Sequence, residues 1–394
     1  MKLLKNFIEN EKSVGILLIL CTILSLSLAN SSFHILYHNF WETPFFLRAG
    51  TLNIFNLPGI SLTLSEFIND GLMSIFFLMV GLELIYEVRI GKLSNLSHAL
   101  LPIIGALGGM IVPAGVYAYL NSGKDTISGA GIPMATDIAF ALGVLSLLGK
   151  KINLSLRIFL TALAVMDDLG AILVIVIFYT KKLSWYYLSL ALITWMVLLL
   201  FKKLKIKYLY LYIIGGIVIW YGLLNSGVHA TLAGMLLAFT LPFGDGNTHS
   251  NAMKLFSILQ LPVNFIILPL FALANTALSI ELNFQEYFSQ SYCLGIFFGL
   301  VFGKPLGIIL FTYLACALKL CKLPCETNWK QIIGIGFLGG IGFTMSIFIT
   351  LLAFNPVIQT DYITHAKIMI LFSSLCSGLI GYLYLYFICR KKKF

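Results

Sequence analysis

The chain is predicted to be an all-α polytopic membrane protein of about twelve transmembrane helices, and three observations predict it. First, its 394 residues are 59% hydrophobic, with only 11% charged and a mean hydropathy of +0.95, whereas a soluble domain keeps about a quarter of its residues charged. Second, the apolar residues come in long runs rather than in a single helical stripe, which is how a chain solvated by lipid reads. Third, the basic residues are distributed unequally between the two sides that those runs would separate.

A membrane span needs roughly 20 apolar residues. Candidate spans centre near residues 21, 75, 108, 138, 168, 192, 213, 233, 266, 303, 342 and 376. The first apolar run, Val14 to Ala29, lacks a cleavage-site pattern and reads as the first span rather than a signal peptide. Alternating the sides from an inner N-terminus places 20 of the 26 Lys and Arg residues on one face, 5 on the other and Lys304 inside a span. The positive-inside rule therefore predicts that both termini are cytoplasmic. The net charge of +10 encodes orientation, and 22 Lys against 4 Arg argues against phosphate-reading arginine clusters, so no nucleic acid partner is expected. Seven cysteines, an odd number sitting mostly in or beside apolar runs, read as packing residues or free thiols.

The chain is expected to form one membrane domain, 1–394, without linkers or a soluble insertion. In the external loop, two alternating stretches around Pro58-Gly59, within Arg48 to Leu64, predict a small β-hairpin. Gly105, Gly108 and Gly109 are expected to let helices pack closely. Two segments are interrupted: Gly129 to Gly143, which contains Pro133, and the glycine-rich Gly334 to Ser346. Glycine and proline weaken a helix, and backbone freed at membrane depth must find partners in the protein or in a wet cavity. The two interruptions occupy corresponding places in two inverted units, about 97–178 and 292–388, so a binding site is expected where they cross. Gly334-x-Gly-x-x-Gly339 matches a dinucleotide fingerprint only in letters, since no strand precedes it.

Four ionisable residues fall near the middle of spans: Asp137, Asp167, Asp168 and Lys304. Each costs about 2.5–3.5 kcal/mol to insert, and such residues face a cavity or one another and mark an ion or proton path. Asp167 and Asp168 point about 100° apart on a helix, so one carboxylate can face an ion while the other faces a counter-charge. Two adjacent carboxylates in a low dielectric cannot both ionise cheaply, so a small cation and a proton compete for them. Asp137, next to Thr136, and Lys304 are suited to balance the partial charges at half-helix ends. Glu83 and Glu87, one turn apart at the inner end of the second span, form either a cation funnel or a solvated helix end. His229, near the outer end of a span, reads more readily as a satisfied packing residue than as a pH sensor. Nothing calls for a cofactor; the ligands expected are the transported ions and the lipid bilayer.

Six stretches, in order along the chain, resemble the NhaA family of sodium/proton antiporters. They are Phe77-Leu-Met-Val-Gly-Leu-Glu83, Ala135-Thr-Asp-Ile-Ala-Phe-Ala-Leu-Gly143, Asp167-Asp-Leu-Gly-Ala-Ile172, Ser226-Gly-Val-His-Ala-Thr-Leu-Ala-Gly234, Ile267-Leu-Pro-Leu-Phe-Ala-Leu-Ala-Asn275 and Gly303-Lys-Pro-Leu-Gly307. The resemblance implies two crossed, interrupted helices and electrogenic exchange of Na+ or Li+ for H+ across the bacterial inner membrane. It implies that Asp168 is the principal ion-binding carboxylate and that Asp167, linked to Lys304, is its partner in proton exchange. It places Thr136 and Asp137 at the crossing, and Glu83 and His229 at positions of pH response. The chain departs from the family at Leu84-Ile85-Tyr86 and at Lys254 to Gln260, which leaves the cytoplasmic charge cluster incomplete. A homodimer is a further expectation. The rival classes are a sodium-coupled solute symporter or cation channel and, more remotely, an intramembrane aspartyl protease, whose Gly-x-Gly-Asp stretch is missing here.

Overall fold

The computed structural model describes residues 11–44, 48–49, 52–53, 62–91, 96–149, 152–179, 183–243, 250–280, 284–324, 326–355 and 358–390. Among them, nine helices are long and apolar enough to cross a membrane, and two bent helix pairs bring the number to eleven. Long apolar runs fold this way because lipid offers a backbone no hydrogen bonds, so each segment satisfies its own.

The chain divides into two compact units. The first holds Met1–Leu17, Gly91–Tyr179 and Ile280–Phe394, and the second holds Leu18–Ile90 and Thr180–Ser279. Helix α1 (Glu11–Ala29) supplies residues to both. In the second unit, α2 (His34–Glu42) is followed by the long α3 (Leu64–Arg89). Two short strands, β1 (Arg48–Ala49) and β2 (Leu52–Asn53), pair antiparallel between α2 and α3.

The hairpin expected around Pro58-Gly59 is not borne out. The pairing is two residues long and lies ahead of that turn, and residues 54–61 fall outside the described set. The last residues of the second expected strand, Thr63 and Leu64, instead begin a helix. Thr63 caps the beginning of α3, its hydroxyl accepting from Glu66 N while the Glu66 side chain accepts from Thr63 N, a reciprocal cap that fixes a helix N-terminus.

The first unit contains α4 (Leu96–Leu120), a 3-10 segment (Asp125–Met134) leading into α5 (Ile138–Leu147), and α6 (Leu154–Phe178). Helices α7 (Trp185–Lys203), α8 (Leu209–Ser226), α9 (Leu232–Thr240) and α10 (Asn251–Asn275) belong to the second unit. The first unit resumes with α11 (Ser291–Ala317), the broken pair α12 (Trp329–Gly339) and α13 (Phe343–Ala353), and α14 (Thr360–Arg390).

The remaining expected span, the eighth in order and centred near residue 233, is α9, which has only nine residues, about 13 Å at 1.5 Å per residue. Gly227, at φ +87°, ends α8, and the N–H groups of Leu232, Ala233 and Gly234 bond back three residues rather than four. The apolar run is thus divided between turned backbone and a short helix. Gly234 is still needed: a Cβ there would lie 1.9 Å from the Ser74 carbonyl of α3.

In the first unit α4 and α11 approach each other closely. A Cβ on Gly108 would lie 2.3 Å from Gly307 O, and one on Gly307 would lie 2.1 Å from Gly108 O. The backbones touch directly, in the small-residue packing expected of Gly108. Helix α11 widens to a π turn over Gly299–Gly303, immediately before Lys304 and Pro305, where the proline has no N–H to give. Lys367, counted by sequence with the outer face, lies inside α14 and is buried.

Candidate ion site at the meeting of two broken helices

Each interrupted segment bends where its breakers stand, by 43° between the 3-10 segment and α5 and by 46° between α12 and α13. Ala135 is extended (φ −78°, ψ 150°) and Asp137 is the N-cap of α5. The backbone groups freed at one break are satisfied by the other. Asp137 N donates to Ile341 O at 2.7 Å, Thr136 Oγ1 lies 2.9 Å from Gly339 O, and Ser346 Oγ donates to Ile132 O at 2.8 Å.

All the charged side chains of this crossing lie in the first unit. Asp167 and Asp168, on α6, are 0% and 1% exposed, Asp137 is 2% exposed and Lys304 is fully buried. Lys304 Nζ stands 2.9 Å from Asp167 Oδ2 and also donates to Met134 O, the last carbonyl of the 3-10 segment. The ammonium therefore sits between a carboxylate and the negative end of a half-helix. Thr136 Oγ1 donates to the same Asp167 Oδ2 at 2.6 Å. Asp167 Oδ1 has no hydrogen-bond partner among the described residues, so one oxygen is tied down and the other is available. Asp168, the next residue, lies within electrostatic reach of Lys304.

Asp137 faces two helix starts at once. Its Oδ1 accepts from Phe140 N of α5 at 2.9 Å; its Oδ2 accepts from Thr344 N of α13 at 3.1 Å and from the Thr344 hydroxyl. Two positive half-helix ends thus share one carboxylate.

The remaining expected residues belong to the second unit. Glu83 and Glu87 lie in the last turns of α3, both half-buried, and His229 lies in the turned segment before α9, its carbonyl accepting from Leu232 N. The structure also shows contributors that the sequence did not single out. Tyr117 OH donates to Thr126 O and Tyr179 OH to Ser128 O, while Gly131 N donates to Tyr179 OH, which fixes the 3-10 segment along its length. Ser374 and Ser377 of α14 bond the backbone at the second break.

Buried acids and a buried ammonium, gathered where two discontinuous helices meet within a multi-span bundle, define an ion-coupled secondary transporter. The comparisons agree. The family described as Na+/H+ antiporter 1 matches residues 5–385, and the chain belongs to that family, a transporter family rather than an enzyme family. The chain is 56% identical over 98% of its length to the Na(+)/H(+) antiporter NhaA of Flavobacterium psychrophilum, covering 97% of that protein. It is 52% identical to the NhaA of Cytophaga hutchinsonii, over 97% of this chain and 94% of that protein. It is 46% identical to the NhaA of Escherichia coli (strain UTI89 / UPEC), with 98% of both covered. Among solved structures, the sodium proton antiporter MjNhaP1 of Methanocaldococcus jannaschii aligns with a TM-score of 0.48 at 14% identity, covering 96% of this chain and 90% of that one. The chain is thus a multi-pass protein of the bacterial inner membrane that exchanges Na+ for H+.

Proposed function

We propose that exchange runs through the adjacent carboxylates of Asp167 and Asp168, where a sodium ion and protons compete. One observation carries this: two consecutive, buried acids stand where the broken helices meet, the first of them ion-paired with Lys304 and hydrogen-bonded to Thr136. In this mechanism Asp168 is the main ligand of the cation. Asp167 exchanges its proton in step with its link to Lys304, and Asp137 and Lys304 balance the half-helix ends. A cation entering the pair meets negative charge only when the acids have lost their protons, so its arrival on one side and theirs on the other are coupled. Two acids served by one monovalent cation make the cycle electrogenic. Lithium, a small cation of equal charge, is an alternative cargo.

Both termini are assigned to the cytoplasm, a reading that the basic-residue asymmetry supports. Glu83, Glu87 and His229 are assigned to cation attraction and pH response, and the protein is assigned a homodimeric state, for which cross-linking in native membranes is the test. A symporter would need an added solute to move protons. The deciding experiment is sodium-driven proton flux in everted vesicles, scanned across pH without added solute. Wild-type flux that is absent in Asp168→Asn, at equal amounts of inserted protein, supports the assignment; flux retained in the variant removes it.

A further inference from the structure

Asp137 and Thr344 are 207 residues apart and hydrogen-bonded to each other across the two breaks. The same offset carries Thr136 to Phe343, Asp167 to Ser374 and Gly170 to Ser377. The contacts follow that register. At the first break, Thr136 meets Asp167, 31 residues later; at the second, Phe343 N meets Ser374 Oγ, also 31 residues later. Asp137 and Thr344 are thus mates that touch, and Ser374 holds, in the second repeat, the place that Asp167 holds in the first.

Serine in a membrane helix commonly bonds the carbonyl four residues back, as the neighbouring Ser373 does to Met369 O at 2.6 Å. Ser374 reaches across to another helix. Its oxygen accepts from Gly342 N at 3.2 Å and from Phe343 N at 3.1 Å, donors at the start of α13 that have no partner within the helix. The next donor, Thr344 N, is taken by Asp137. One turn further along α14, Ser377 Oγ donates to Phe337 O at 2.6 Å, near the end of α12. One face of α14 therefore holds both facing ends of the second break. That break presents Gly339 O to Thr136, whose hydroxyl meets Asp167.

We propose that Ser374 is a positioning residue for cation exchange, the uncharged repeat counterpart of Asp167, which holds the second break in the geometry that the ion site requires. The inference rests on the assignment of Asp167 and Asp168 as that site. Ser374 touches neither ion nor acid; it acts through α13, Gly339 and Thr136. Its loss should therefore weaken the hold on sodium more than it slows turnover.

The test measures half-saturating sodium and maximal flux separately in everted vesicles, normalised to inserted protein, for wild type, Ser374→Ala, Ser374→Thr and Ser374→Cys. Ser374→Ala is expected to raise half-saturating sodium about five- to tenfold, as the loss of a buried acceptor facing two donors implies, with maximal flux within about twofold. Ser374→Thr, which keeps the hydroxyl, is expected to restore the wild-type value. An unchanged half-saturation in Ser374→Ala overturns the proposal, as does a threonine variant as impaired as the alanine one, or a loss confined to maximal flux. If Ser374→Ala does not reach the membrane, Ser374→Cys decides: a weaker acceptor with an intermediate shift supports the role, and a wild-type value overturns it. Sodium-driven flux retained in Asp168→Asn, run alongside, would sink the assignment of the acid pair and leave the Ser374 effect separately visible.

Discussion

The two breaks are made by the same backbone device and furnished with different chemistry. The first carries Thr136 and Asp137 in its own chain and faces the acids of α6, with Lys304 bonded to its last carbonyl. The second is almost bare glycine, Gly339-Gly340-Ile341-Gly342, and is held by neutral hydroxyls from α14 and by the carboxylate of its mate. A half-helix end needs a partner of the right sign or simply a hydrogen bond. The first break gathers the charged groups of the proposed ion site, while the second is held by hydrogen bonds from hydroxyls and by the Asp137 carboxylate.

The comparison can be broken at several points. The largest effect is expected from Lys304→Met, which strips the counter-charge from a buried carboxylate and leaves Met134 O without its donor. Removing one partner of a buried pair costs about 3–5 kcal/mol, read as a fall in thermal stability in detergent together with loss of sodium-driven flux. Wild-type stability would show that the pair is not what holds the first break. Next comes Thr136→Val, similar in shape but without the hydroxyl that meets Asp167 and Gly339 O. A cost of about 1–3 kcal/mol at the proposed ion site should raise half-saturating sodium by about five- to 150-fold, and an unmoved value would separate the breaks functionally.

Thr344→Val should have a smaller effect. Asp137 loses a hydroxyl donor but keeps Thr344 N and Phe140 N, so about 1 kcal/mol of stability is expected to go, with flux retained. A collapse of flux would give the second break a chemical role. The smallest effect is expected from Tyr179→Phe, which frees Ser128 O and Gly131 N in the middle of the 3-10 segment. Faster amide exchange over residues 128–131, with half-saturating sodium unchanged, is the expected outcome; a shift in sodium dependence would show that the ion site senses the whole segment.

What sequence could supply follows from the range of each signal. Asp167 and Asp168 inside an apolar run, and glycines with a proline inside a span, are local anomalies legible in a few residues. The same holds for Lys304. Ser374 and Thr344 were not legible, because hydroxyl residues are ordinary in membrane helices and their partners lie 32 and 207 residues away. Lys367 was placed outside because it lies only seven residues into α14, where a span boundary cannot be told from composition. The β-hairpin was a misreading of period-two alternation over too few residues. Thr63-Leu-Ser-Glu66, a helix-start signature, overlaps the end of that stretch and outweighs it there. The short α9 shows a related limit: hydropathy sees the apolar run but not the left-handed Gly227 that spends part of it on turned backbone.

The winding of the segment before the first break has a consequence for reach. Ten residues, Asp125–Met134, are coiled as a 3-10 helix and extend about 20 Å, where an α-helix of the same residues would extend about 15 Å. The tighter coil is narrower and longer. That is an additional length of about one α-helical turn, and at the tip of the segment the Met134 carbonyl meets the ammonium of Lys304.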